Sequence, residues 1–148
     1  MKTVYAYVCG DILHRGHVMH LNNAKKFGDL LIVGILTTKA IEEKKLPPIL
    51  SFDERLFLVG QLKSVDIVIP QETYSPLSNI KLMRPDILIE SESHGQEELA
   101  KIRAIVSEMG VKTIILPYYQ EQSSTKIKEN IRKKEYNEKE NTMKKKTQ

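Results

Sequence analysis

Five apolar runs rich in β-branched residues recur along the chain, and helix-like segments separate them. The runs are TVYAYVC (3–9), DLLIVGIL (29–36), VDIVIP (65–70), DILIES (86–91) and VKTIILP (111–117). Runs this apolar along their whole length have no face to give to water. They predict parallel strands covered on both sides. The intervening segments supply the cover. HVMHLNNAKKFG (17–28) is helical in spacing. SFDERLFLVGQLK opens with Ser51 and carries Glu54 three residues on, a capping-box signal. SPLSNIKLM is a short helix. GQEELAKIRAIVSEMG places Leu99, Ile102, Ile105 and Val106 on one face and ends at Gly110. SSTKIKENIRKK begins with serine caps.

This alternation predicts an α/β single domain, a Rossmann-like doubly wound parallel five-stranded sheet; a flavodoxin-like strand order is the alternative. In either order the site belongs beyond the carboxyl ends of the strands, at the switch point. The stretch TTKAIEEKKLPPIL reads as a long irregular loop, and loops of that length tend to carry function.

With 148 residues and a single cysteine, Cys9, the chain needs no disulfide framework and has none to form within itself. A reducing, cytoplasmic setting is expected. The N-terminal apolar run meets Asp11 too soon for a signal peptide, and no run approaches the ~20 apolar residues that span a bilayer. The net charge of +4 suggests a nucleic-acid partner until its distribution is read. Six lysines and three glutamates from Lys133 onward carry +3, which leaves +1 on the first 132 residues. Residues 133–148 read as frayed helix and then disorder, a solvated tail on a domain of residues 1–132. Neither nucleic acid nor membrane is an expected partner.

Three places suit an anion. His14 lies in the turn after the first strand and His17 starts the next helix, with Gly16 between them letting backbone approach a ligand. The Ser123–Lys126 run brings three hydroxyls and an ammonium to the start of the last helix. Lys44 and Lys45, with Lys39 nearby, lie in the loop after the second strand. An open parallel sheet puts all three on one edge. Other readings of the histidines stay open: plain turn residues, or a zinc site of His14, His17 and His20. His20 is expected on the helix surface. No nucleophile elbow and no convincing acid–base carboxylate pair is present, which fits phosphoryl or nucleotidyl transfer, where positioning and charge stabilisation dominate.

The ordered set HRGH, LNNAKKFGDLLIVGI, DERLFLVGQLKSVDIVI and SSTKIKENI resembles the cytidylyltransferase family of HxGH nucleotidyltransferases, of which glycerol-3-phosphate cytidylyltransferase is one kind. The resemblance covers about residues 2–132. From Leu46 to Glu90, with Pro70-Gln71-Glu72-Thr73 as the local match, the chain is most similar to cytidylyltransferases of phosphonate metabolism. The resemblance implies a cytidylyltransferase that joins CMP from CTP to 2-hydroxyethylphosphonate, 2-aminoethylphosphonate or glycerol 3-phosphate and releases pyrophosphate.

It also implies roles. His14 and His17 contact the nucleotide phosphates. Lys44, or Lys45 if the loop is shifted, contacts the acceptor. Arg55 helps to hold the acceptor or the active-site loops. Ser123, Ser124 and Thr125 hold the β- and γ-phosphates. Cys9, Gly10, Gly16 and Glu92 complete the nucleotide-binding set. Mg²⁺ rides on the nucleotide with no dedicated protein site, and the chain forms a homodimer. Three departures from the family pattern bear on specificity: Glu121-Gln122 replace Gly-Ile, Tyr118 stands near a missing Arg, and Ser91–Gly95 (SESHG) replaces a Gly-Asp-Asp/His-Trp type segment. Tyr118 and Tyr119 are candidates to stack on a base. An ATP-dependent adenylyltransferase acting on FMN or a pantetheine phosphate, and a non-catalytic nucleotide-binding module, are the competing readings.

Overall fold

A computed structural model describes residues 1–117 and 123–146. Five strands, β1 (Thr3–Val8), β2 (Leu30–Leu36), β3 (Ile67–Gln71), β4 (Ile87–Ser91) and β5 (Lys112–Leu116), form one sheet in the order β3-β2-β1-β4-β5. Every pairing is parallel. The order is Rossmann-like, and the flavodoxin-like alternative falls away. The switch point lies between β1 and β4, where successive connections leave in opposite directions.

Alternation along the central strand splits the core in two. Val4 and Ala6 face Leu21 and Ala24 of α1 (Arg15–Lys25) and Val59 of α3 (Phe52–Gly60). Tyr5 and Tyr7 face the other layer, with Ile41 of α2 (Thr38–Glu42), Ile80 of α4 (Leu77–Met83), and Ile102 and Val106 of α5 (Gln96–Glu108). The Tyr5 hydroxyl is satisfied in that layer: it donates to Gln71 Oε1 at 2.6 Å and accepts from Asn79 Nδ2 at 2.9 Å. Gly34 on β2 makes room for this ring, since a Cβ there would lie 2.0 Å from the Tyr5 oxygen.

Several boundaries differ from the sequence reading. Part of the supposed loop after β2 is helical: Thr37 caps α2 through Ala40 N–H, and Ala40 and Ile41 are buried. Pro70 does not stop β3. The strand is an edge strand paired only with β2, so the missing N–H removes no ladder bond, and pairing runs on to Gln71. Ile105 is 41% exposed, leaving Leu99, Ile102 and Val106 as the buried face of α5. Ser51 caps α3 by accepting Glu54 N–H. The final helix, α6 (Ser124–Lys146), runs without a break through the tail that the sequence reading took as disordered beyond a frayed end. Lys, Glu and Arg are good helix formers, and propensity alone carries this stretch, because none of its described residues is buried. No helix among the described residues is long and apolar enough to cross a membrane.

Candidate active site

The turn from β1 into α1 is built by its own histidines. His14 caps α1: its Nδ1 accepts Gly16 N–H at 3.0 Å, and His17 Nδ1 accepts His14 N–H at 3.3 Å. A ring nitrogen that accepts a hydrogen bond carries no proton. Both neutral imidazoles therefore hold their proton on Nε2. The ring centroids are 4.2 Å apart, and both rings line one cleft of about 1080 Å³ at the carboxyl edge of the sheet. Burial lowers the pKa of each ring. For His17, burial first and then the charges of His14, His20 and Lys45 bring it down to about 4. The pair thus offers neutral N–H donors beside a helix N-terminus whose dipole already favours an anion.

The start of α6 sits on the same rim. Ser123 Oγ accepts Lys126 N–H at 3.0 Å as the cap, and Ser124 Oγ donates to the carbonyl of Ile12 at 2.9 Å. That second bond ties α6 to the histidine turn. Ser123, Ser124 and Thr125 line the cleft together with His14, Gly16 and His17. Lys44 and Lys45, just beyond α2, line it as well; their ammonium groups stand 5.0 and 6.0 Å from the centre of the Tyr74 ring.

Two buried charges hold these pieces in register, Asp11 in the cleft lining and Arg55 behind it. Asp11 is 4% exposed. It accepts N–H bonds from Ile49 and Leu50 at 3.0 and 2.8 Å and pairs with Lys128 of α6. Burial alone would push its carboxyl up, but the two amides and the Lys128 ammonium outweigh it and hold the pKa below the usual range. Arg55 is fully buried; its Nη1 donates to the carbonyls of Cys9 and Leu36, and its Nε to that of Leu50.

A family model described as cytidylyltransferase-like matches residues 8–130, which include the histidine turn, the two lysines and the start of α6. The chain belongs to the cytidylyltransferase-like family. It is a family of nucleotidyltransferases. Among curated relatives, the bifunctional protein HldE of Helicobacter pylori (strain P12) is 33% identical over 134 residues, 89% of this chain and 28% of its own length. HldE of Sulfurimonas denitrificans is 41% identical over 90 residues, 60% of this chain and 19% of its own length. This cytidylyltransferase-like chain thus spans less than a third of those relatives. The crystal structure of a lipopolysaccharide core biosynthesis protein from Thermoplasma volcanium is 27% identical, covers 82% of this chain and 99% of its own, and superposes with a TM-score of 0.71. Pantothenate synthetase from Thermus thermophilus, at 14% identity and a TM-score of 0.60 over 82% of this chain and 57% of its own, shares the fold.

Within this cytidylyltransferase-like cleft, not every residue singled out from the sequence reaches the lining. Arg55 does not face an acceptor. With 0% exposure and its guanidinium on the carbonyls of Cys9, just after β1, Leu36 of β2 and Leu50 in the loop before α3, it holds the loops. Gly10 is buried behind the lining with φ +70, and a Cβ there would meet Val59 at 3.1 Å, so its role is the backbone turn. Glu92 is exposed on the 3-10 turn Glu92–His94, outside the cleft lining. Cys9 does line the cleft, and burial pushes its thiol up, away from nucleophilic use. His20 is half-buried in the cleft wall, where surface placement was expected, and burial lowers its pKa. Tyr118, Tyr119 and Glu121-Gln122 lie outside the described residues.

A second wall includes His94, which the sequence left open between a ligand contact and an exposed loop residue, and adds Tyr7, Tyr74 and Glu98, which the sequence did not single out. Tyr7, Tyr74, His94 and Glu98 line the same cleft as the histidine turn, with Glu90 buried behind them. The Tyr7 hydroxyl lies 2.7 and 3.0 Å from the two Glu90 oxygens and 3.0 Å from His94 Nδ1. Strand parity puts Tyr7 on the Tyr5 face and Glu90 on the Leu88 face. Only the pairing of β1 with β4 says that these faces are one layer.

Proposed function

We propose that this chain is a CTP-dependent cytidylyltransferase, transferring CMP to a small phosphonate or phosphate acceptor and releasing pyrophosphate. One observation carries the reading: the N-termini of α1 and α6 are tied together by the Ser124–Ile12 bond and bracket two imidazoles with protonated Nε2 atoms. That constellation suits a triphosphate. The acceptor oxyanion attacks the α-phosphorus in line, and the bond to the bridging oxygen breaks as pyrophosphate leaves. His14 and His17 donate from Nε2 to the oxygens on which charge builds up, and the helix termini and the hydroxyls of Ser123–Thr125 hold the departing phosphates. Lys44 and Lys45 neutralise the acceptor anion. No base is needed, because a phosphonate or phosphate already carries its nucleophilic charge.

Mg²⁺ would neutralise the leaving pyrophosphate. Among the described residues no group of three or more His, Cys, Asp or Glu side chains stands together, and Asp11 is committed to two amides and Lys128. Such an ion would therefore keep phosphate oxygens and water as its ligands. The homodimer implied by the resemblance is tested by sedimentation.

The similarity to a lipopolysaccharide core protein favours a second acceptor class, since such cores are built of sugars. The test crosses CTP, ATP, UTP and GTP with 2-hydroxyethylphosphonate, 2-aminoethylphosphonate, glycerol 3-phosphate and a sugar 1-phosphate, reading pyrophosphate. Turnover confined to CTP and the first three acceptors supports the proposal. ATP with the sugar phosphate selects the second reading. Tight nucleotide binding without turnover on any acceptor makes the chain a binding module.

A further inference from the structure

Glu90, Tyr7 and His94 form a row along which a proton can be passed. The Glu90 side chain is 0% exposed and that of His94 24%. The Tyr7 hydroxyl stands between them, 2.7 and 3.0 Å from the two Glu90 oxygens and 3.0 Å from His94 Nδ1. Nδ1 itself is 3.6 Å from Glu90, too far for a direct hydrogen bond. Ser91 Oγ accepts Ser93 N–H at 3.3 Å and pins the turn that carries His94. Tyr7 has one proton and two partners, so the state of one partner dictates that of the other. An ionised Glu90 takes the hydrogen bond of the Tyr7 proton. The Tyr7 oxygen then accepts from His94, whose proton sits on Nδ1 and whose Nε2 keeps a lone pair. A protonated Glu90 donates to the Tyr7 oxygen instead. Tyr7 then donates to His94 Nδ1, and the imidazole proton sits on Nε2. With the ring neutral, only these two arrangements leave none of the three groups unpaired.

The arrangements differ by one proton. It enters at Nε2, the Nδ1 proton passes to the Tyr7 oxygen, and the Tyr7 proton passes to Glu90; the ring is neutral at both ends. Burial raises the pKa of Glu90 to about 7 against the pull of the Tyr7 bond, with a smaller push from Glu98, so both arrangements are populated near neutrality. Burial, with Glu90 beside it, keeps Tyr7 protonated. Burial also lowers the pKa of His94. After it, Lys45, His20 of α1 and Lys44 lower it further, and Glu98 of α5 opposes them. The rings of Tyr7 and Tyr74 stand 5.4 and 6.3 Å from that of His94, and the Lys44 ammonium is 5.0 Å from the centre of the same Tyr74 ring. Lys45 leads the charges on His94, so this imidazole stands where an anion is drawn.

We propose that Glu90 is a positioning residue: through the Tyr7 hydroxyl it sets which ring nitrogen of His94 is protonated, and so whether His94 offers an anion beside Lys44 and Lys45 a donor or a lone pair. The identity of that anion as the acceptor rests on the nucleotidyl-transfer reading; the coupling of the three side chains does not. With Glu90 protonated, His94 joins His14 and His17 as an Nε2 donor. With Glu90 ionised that donor is withdrawn, and acceptor binding weakens as pH rises through neutrality.

Nitrogen NMR of the labelled imidazoles from about pH 5.5 to 8.5, with His94→Gln to assign the signal, reads the tautomer directly. In the wild type His94 should pass from Nε2–H to Nδ1–H as pH rises. Glu90→Gln donates its amide to Tyr7 at every pH and should hold Nε2–H throughout, and Tyr7→Phe should remove the pH dependence. Turnover with 2-hydroxyethylphosphonate reads the consequence. The acceptor KM of the wild type divided by that of Glu90→Gln cancels the acceptor's own titration. This ratio should rise roughly tenfold across the range, the scale of one hydrogen bond to a charged group, while the ratio of kcat values stays level. A single His94 tautomer at every pH, or the same change in Glu90→Gln, overturns the proposal and leaves the transfer reading standing; a flat KM ratio does the same. If no acceptor turns over, the transfer reading falls, and the NMR titration alone decides the coupling.

Discussion

At the residue scale, the decisive chemistry is where protons sit. His14 and His17 accept backbone N–H bonds at Nδ1, and that is what aims Nε2–H outward. His14→Asn separates the two duties of the cap. Asparagine caps as well as any residue, so the melting temperature should hold while turnover falls. His17→Ala should cost about 10²–10³ in kcat, as loss of one preorganised donor does elsewhere, with the far-ultraviolet spectrum unchanged. Glu90 is the other residue whose state matters. Burial raises its pKa from 4.5 to about 7. The folded state therefore binds this proton more tightly than the unfolded chain. The stability Glu90 contributes is complete below about pH 4.5 and is lost as pH rises through 7. Glu90→Gln should thus gain on the wild type across that window by up to about 3 kcal/mol, read as a growing difference in melting temperature between pH 4.5 and 7.5.

At the scale of elements, Arg55 and Asp11 show how loops at a strand edge are fixed, Arg55 from behind the lining and Asp11 from within it. Arg55 gathers carbonyls from the turn after β1, from β2 and from the loop before α3; Asp11 gathers the amides of Ile49 and Leu50 and the Lys128 ammonium. Lysine cannot reproduce the guanidinium fork. Arg55→Lys should destabilise by about 3 kcal/mol, on the scale of lost hydrogen bonds from a buried charge, and should raise KM for the acceptor as the lysine loop loosens. Thermal melting and the KM-against-kcat split read the two effects separately. The elements themselves were largely visible in the sequence. Five apolar runs became five parallel strands, and Ser51 and Ser123 cap helices as serines in those positions should. What the sequence hid was α2, because five residues with two apolar positions leave no periodicity to read. Pro70 inside β3 was hidden too, since nothing in the run says that it lies at an edge.

For the molecule as a whole, α6 divides into a part tied to the cleft and a part tied to nothing that buries it. Ser124 and Lys128 anchor its start, and no described residue of the helix is buried. Truncation after Arg132 should leave the melting temperature and turnover within error and lower the helical signal in circular dichroism. A loss of activity would show that the tail serves the site.

The sequence by itself determined the layered α/β architecture and the gathering of histidines, lysines and hydroxyls at one sheet edge. Both rest on local facts: apolar runs with no wet face, capping residues, and histidines, lysines and hydroxyls placed just after strands. Only the tertiary structure decided the strand order, the withdrawal of Arg55 and Glu92 from the lining, and the meeting of Tyr7 with Glu90 and His94. Those depend on which strands lie side by side, and Tyr7 and Glu90 are 83 residues apart in the chain. A side chain's neighbours across a sheet are set by pairing and register, and a linear string of residues carries neither.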